Sequence, residues 1–158
     1  MLYVFSVTIH VLAATLWVGG MGFFAIAVVP VARRTLEEAH AGKMLRGVGT
    51  RLGSVGWWLL GTLAVTGLIN LWSRGVLPLM ATTMFWRSPF GTTLALKLSL
   101  VALMTLVSFV HGRDARRQGQ GQHVTPAART RSSLLGRATF GLSVVVVFLA
   151  VLLVRGNP

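Results

Sequence analysis

Hydrophobic residues in this chain form four long, nearly uninterrupted blocks that are separated by polar and basic segments. Each block reaches the roughly 20 residues that a helix needs to cross the hydrocarbon core of a bilayer. The pattern predicts an all-α integral membrane protein, a four-transmembrane-helix bundle that forms one domain over residues 1–158. The spans are expected at about Leu2 to Val31, Gly53 to Ser73, Gly91 to Gly112 and Ser133 to Val154.

The connecting segments predict the orientation of the bundle. The second loop has only Arg74 and Arg87, whereas the first and third together have ten basic residues, and such loops stay in the cytoplasm. We therefore expect both termini and the second loop outside a bacterial inner membrane. The first loop is also expected to hold a short interfacial helix at Leu36 to Leu45. The ten are Arg33, Arg34, Lys43, Arg46, Arg51, Arg113, Arg116, Arg117, Arg129 and Arg131.

Composition supports the lipid bilayer as the main partner. Apolar residues make up 54% of the chain and charged residues 11%, whereas a soluble protein has about 25% charged residues. The net charge of +12 is explained by orientation and anionic headgroups, since no Lys or Arg precedes Arg33, and we expect no nucleic-acid partner. The first block lacks the charged start and cleavage pattern of a signal peptide, which indicates a retained helix.

Polar residues inside the spans are the candidates for function. His10 lies about 12 Å from the outer end of the first span by helix rise, and Trp17 continues roughly the same face. Lys97 lies about 9 Å into the third span by the same rise. These residues therefore share the outer half of the bundle with a stripe on the second span. The stripe consists of Thr62, Thr66 and Asn70, four residues apart.

Each candidate has a structural alternative. A lone His often bonds a neighbouring helix, a Lys can extend to the interface, and a Thr stripe can serve interhelical packing. Met80 and Met84 in the apolar second loop are either interface packing or an outer metal-capture pair. His111, at the cytoplasmic end of the third span, is the best second ligand, since His40 and His123 lie close to water.

A metal site within the spans would have to use nitrogen and thioether ligands. The chain has no Cys, and its three acidic residues fall outside the spans, which excludes a di-iron carboxylate bundle. The zinc-hydrolase and phosphate-loop motifs are absent, which favours a role without catalysis. Imidazole and thioether groups suit Cu(I) or a haem iron.

Three motifs in order resemble the copper-resistance protein D (CopD-like) membrane family. His10 to Gly20 reads HVLAATLWVGG, Val65 to Leu68 reads VTGL, and Ser88 to Leu98 reads SPFGTTLALKL. The resemblance runs from about His10 to Val154 and implies copper movement across the inner membrane. Larger members have additional spans, so this chain would be a minimal version that needs a second copy. A looser similarity to HemJ-type protoporphyrinogen oxidases rests on the His10 and Lys97 pairing and implies haem b.

Three functions therefore stay open. A copper-handling protein would use His10 as its intramembrane ligand, Met80 with Met84 for capture, and a homo-oligomer or a periplasmic copper-binding partner. A b-type cytochrome would place one haem at His10 and Lys97 and another at His111. An accessory membrane subunit would have no chemistry of its own, and its bare fourth helix would face a partner.

Overall fold

The computed structural model of the protein describes the backbone of residues 1–118 and 126–155, and the side chains of residues 1–110 and 134–154. Over this part of the chain the structure is helical and contains no strand. The elements are α1 (Leu2–Phe23), a π-helical turn (Phe24–Val28), α2 (Val29–Thr35), α3 (Glu38–Ser73), α4 (Val76–Leu79), α5 (Thr83–Arg87), α6 (Pro89–Gln118) and α7 (Pro126–Arg155).

Four of these helical segments are long and apolar enough to cross a membrane, which confirms the predicted all-α membrane bundle. Within the described residues the candidate spans are Leu2–Thr35, Glu38–Ser73, Pro89–Val110 and Leu134–Val154. The first span contains the π-helical turn just before Pro30. Pro30 has no N–H to continue the α-helical ladder, and the preceding Val29 N–H instead bonds the Phe24 carbonyl.

The prediction of a separate interfacial helix at Leu36 to Leu45 was wrong. The chain turns at Leu36 and then runs from Glu38 to Ser73 as one helix of 36 residues. Gly49 lies against the Phe24 ring, at 3.9 Å from an ideal Cβ position. This contact packs the first third of α3 against the first span.

The four long segments close into a ring. α1 packs mainly against α3, α6 packs mainly against α7, and smaller contacts join α1 to α7 and α3 to α6. α1 and α6 therefore face each other across the diagonal. α1 and α3 pack tightly at Gly56 of α3, where an added Cβ would lie 2.5 Å from the Trp17 ring.

The second loop folds onto the ends of the helices as a small apolar cap, which consists of α4, α5 and the residues packed beneath them. Its core joins Val76 to Leu94 of α6 and Leu153 of α7. Gly91 touches the backbone carbonyl of Phe85 so closely that no side chain fits there. The cap places the second loop and the end of α7 at one end of the bundle, and the start of α1 lies at this end too. Which side of the membrane this end faces stays a prediction from the charge distribution.

Candidate intramembrane metal site

The centre of the candidate site is the imidazole of His10, which α1 directs at α3. His10 Nδ1 lies 2.8 Å from the hydroxyl oxygen of Thr66. That hydroxyl donates its own hydrogen to the carbonyl of Thr62 at 2.6 Å, the usual back-bond of a Thr within a helix. Since a hydroxyl has one hydrogen, the Thr66 oxygen accepts from His10, and Nδ1 carries the proton.

This hydrogen bond selects the tautomer of His10. With Nδ1 protonated, the lone pair of a neutral imidazole lies on Nε2, the arrangement in which a His binds a metal ion. α3 therefore holds the protonated side of the imidazole and leaves the other nitrogen available.

The surroundings of the imidazole fix its position. Thr66 is only 6% exposed, and its backbone carbonyl accepts a hydrogen bond from the Ser6 hydroxyl at 3.2 Å. Ser6 is 3% exposed and lies one turn before His10 on the same face of α1. Gly67 allows the ring to lie close, since an ideal Cβ there is 3.5 Å from His10 Cε1. α1 and α3 are thus joined at this level by two hydrogen bonds and a close glycine contact.

Lys97 lies on α6, diagonally across the ring from α1. It is eight residues into its helix, as His10 is into its own, so both lie about 12 Å from the same end of the bundle. Lys97 is half-buried. Within the described part of the chain its ammonium has no hydrogen-bond or ion-pair partner.

Thr62 and Asn70 flank Thr66 by one turn on either side. The Thr62 hydroxyl donates to its own backbone at Trp58, at 2.9 Å. The side-chain oxygen of Asn70 is buried and has no hydrogen-bond partner among the described residues. A buried acceptor without a donor is costly, so Asn70 contributes unused hydrogen-bonding capacity just outward of Thr66.

A second polar group lies about 10 Å deeper in the bundle than His10 and Lys97. Its residues Trp17 and Met104 come seven positions after His10 on α1 and after Lys97 on α6. Trp17 Nε1 donates to the Ser143 hydroxyl at 3.2 Å, and Ser143 lies 3.1 Å from the Met104 sulfur. Met104 is 3% exposed, and Trp17 also covers Gly56. This level links α1, α3, α6 and α7. The sequence identified Trp17 but not Ser143 or Met104, because an apolar face conceals one serine and one thioether.

The remaining candidate ligands do not join this cluster in the described structure. Met80 packs against the core of the cap, whereas Met84 is 83% exposed, so the two thioethers have different surroundings. The side chain of His111 and all of His123 lie outside the described residues. His40 is exposed near Glu37, at 3.6 Å. No group of three or more His, Cys, Asp or Glu gathers within the described residues.

Comparison with known proteins places the bundle in a family. Residues 46–153 match the family described as CopD, copper resistance protein D. No curated protein and no solved structure matches the chain. The matched range includes Thr66, Asn70 and Lys97 but not α1, so His10 is contributed by a helix outside it. Because the match covers more than half of the sequence, the chain belongs to the copper resistance protein D family of multi-pass membrane proteins.

Proposed function

We propose that the protein handles copper in a bacterial inner membrane, at an intramembrane site in the outer half of the bundle. The observation that carries this proposal is the hydrogen bond from His10 to Thr66. It leaves a neutral imidazole nitrogen unprotonated inside a span, and imidazole is a good ligand for copper. Family membership makes copper the expected ion.

The residues along the bundle support a route for the ion. Met84 on the exposed surface of the cap offers a soft thioether to copper from outside, and Met80 behind it is a second one. Asn70 then supplies an unpaired oxygen between the cap and His10. Thr62 continues the polar stripe inward, towards the level of Trp17.

A partner is part of this proposal. The described residues supply few ligands around His10, so copper is handed on rather than stored in a closed site. Delivery by a periplasmic copper-binding protein suits the exposed cap. A second copy of the chain would add spans, and the exposed apolar faces of the helices contact either lipid or that copy.

A b-type haem protein is the second candidate, and Lys97 is the observation that favours it. An ammonium without a partner within a span suits the propionate of a haem whose iron is bound by His10. The two candidates differ in colour, because only a haem protein shows a Soret band and b-type α bands after purification.

The test of the copper site is His10→Ala. We expect the purified variant to lose Cu(I) retention, measured against a chromogenic Cu(I) chelator, while it still inserts and elutes as a folded protein. His40→Ala is the matched control, since this exposed His lies at the other end of the bundle and should leave retention unchanged. Full copper retention by the His10→Ala protein would place the site elsewhere, with His111 as the next candidate.

A further inference from the structure

We propose that Arg51 binds the phosphate group of an anionic phospholipid, whose acyl chains lie along the exposed apolar residues of α3 beside it. The site is on the outer surface of the bundle, at the end opposite the cap, and it is independent of copper. Three observations carry it: the face of α3 on which Arg51 lies, its depth, and the lack of a counter-charge for its guanidinium among the described residues.

Arg51 interrupts an exposed stripe of α3 that is otherwise apolar. The stripe follows one face of the helix, because its residues recur at intervals of three and four. Leu52 and Gly56, through which α3 contacts α1, lie on a different face. The stripe is therefore open to lipid, and Arg51 has apolar neighbours on both sides along it. The members of the stripe are Met44, Val48, Arg51, Val55 and Trp58.

The depth of Arg51 matches the level of lipid phosphates. α3 ends at Ser73 beside the cap, and Arg51 lies about 33 Å before that end by helix rise. The hydrocarbon core of a bilayer is about 30 Å thick. With the cap end of α3 at one boundary of the hydrocarbon, Arg51 therefore lies at the other. Trp58 lies about 10 Å nearer the middle and is 82% exposed, where it contacts the acyl chains of the same lipid.

The neighbouring helix offers the Arg51 guanidinium nothing to pair with. At this level α3 packs on the first span, where Gly49 lies against the Phe24 ring. The first span has no polar or charged side chain from Val18 to Ala32. A charge without a partner is costly at the edge of the hydrocarbon. A phosphate removes this cost, because a guanidinium donates two parallel hydrogen bonds to its oxygens.

The other cations at this end of the bundle favour a lipid with a net negative charge. Residues 33–51 include five Lys or Arg and two Glu. Besides Arg51, the exposed cations are Arg33 and Arg34 at the end of α2 and Lys43 and Arg46 in the early turns of α3. A zwitterionic headgroup would bring its own ammonium among these side chains. The surroundings of Arg51 therefore select an anionic lipid over a zwitterionic one.

Quenching of tryptophan fluorescence by brominated lipids tests the site. The full-length protein is reconstituted in mixtures of phosphatidylcholine and phosphatidylglycerol, with bromine on the acyl chains of one lipid or the other. The emission of Trp58, obtained as the difference from Trp58→Phe, reports which lipid lies beside it. A cation near the membrane surface contributes about a fivefold preference for anionic lipid, so phosphatidylglycerol should occupy the site with about this preference.

Two comparisons separate a site from general attraction. Arg51→Gln should abolish the preference for phosphatidylglycerol at Trp58. Lys43→Gln is the matched control, since it removes the same charge from the same end of α3 but lies outside the stripe, and it should keep the preference. Inorganic phosphate, added at constant ionic strength, should not displace the lipid, because a free phosphate lacks the acyl chains that contact the stripe.

Four results would overturn the inference. Equal occupancy by the two lipids beside Trp58 refutes a selective site. An equal loss of preference in Arg51→Gln and Lys43→Gln would show diffuse surface attraction instead. Displacement by inorganic phosphate would make a free anion the ligand. The absence of Trp58 quenching by either lipid would show that a second protein copy covers the stripe. If Arg51→Gln does not fold, the wild-type preference and the Lys43→Gln protein decide.

Discussion

Thr66→Val tests whether the hydroxyl of α3 prepares His10 for a metal ion. Valine keeps the shape and branching of threonine, so the contact between α1 and α3 and the Ser6 bond to the backbone carbonyl should persist. The change removes the acceptor 2.8 Å from His10 Nδ1. The imidazole then loses the interaction that fixes its tautomer and its rotation.

The magnitude follows from the role of that hydroxyl. Partners that orient a metal-binding His are worth about 10- to 100-fold in metal affinity. At about 1.4 kcal/mol for each factor of ten, this is about 1.4–2.8 kcal/mol. It agrees with the about 1–3 kcal/mol that a buried group loses when its hydrogen-bond partner is deleted.

The assay is competition for Cu(I) between purified protein and a chromogenic chelator, accompanied by a thermal melt to verify folding. Thr15→Val is the matched control. Its hydroxyl is likewise bonded to its own helix, at the Val11 carbonyl 2.9 Å away, but Thr15 is exposed on α1. The control should bind copper as the wild-type protein does.

Two results would refute the reasoning about Thr66. If Thr66→Val binds copper with wild-type affinity while His10→Ala does not, the hydroxyl has no role in preparing the ligand. Nitrogen NMR of protein with labelled histidine provides an independent check. It should show His10 protonated at Nδ1, and a proton on Nε2 in the metal-free neutral form would contradict the assigned tautomer.

Three further predictions concern topology and stability. Single cysteines placed at Met84 and at Lys43, which are both exposed, should react differently with an impermeant label on intact cells: only the cysteine at Met84 should be modified. Labelling at Lys43 alone would show that the topology is inverted. Gly91→Ala should destabilise the bundle by about 1–3 kcal/mol in unfolding assays, because its Cβ meets the α5 backbone, whereas Gly61→Ala, where nothing lies within 4 Å, should not destabilise it. Asn70→Leu should raise the melting temperature by removing an unpaired acceptor yet slow copper uptake; a lower melting temperature would show that its oxygen is bonded.

The sequence alone determined the class of structure and the level of each candidate. The spans follow from the length of the hydrophobic blocks. Unpaired backbone groups are costly in lipid, so only a helix or a closed barrel, which pairs them internally, can cross the bilayer. Depth follows from counting, because each helical residue rises about 1.5 Å. The sequence therefore predicts His10, Thr66 and Lys97 in the outer half of the bundle, with the outer side assigned from the charge of the loops. The continuous α3 was missed, because its polar first turns and its apolar remainder differ in composition although one helix runs through both.

Only the tertiary structure decided which of these residues touch. Rotation of a helix about its axis leaves the depth of every residue unchanged, so contacts depend on how the helices pack. Packing joined His10 to Thr66 and placed Lys97 across the ring, with no partner among the described residues. It also linked Met104 to Ser143 and gave Met80 and Met84 different surroundings. Small residues such as Gly56 and Gly67 set these contacts by allowing close approach, and their effect depends on which side chain the opposing helix presents.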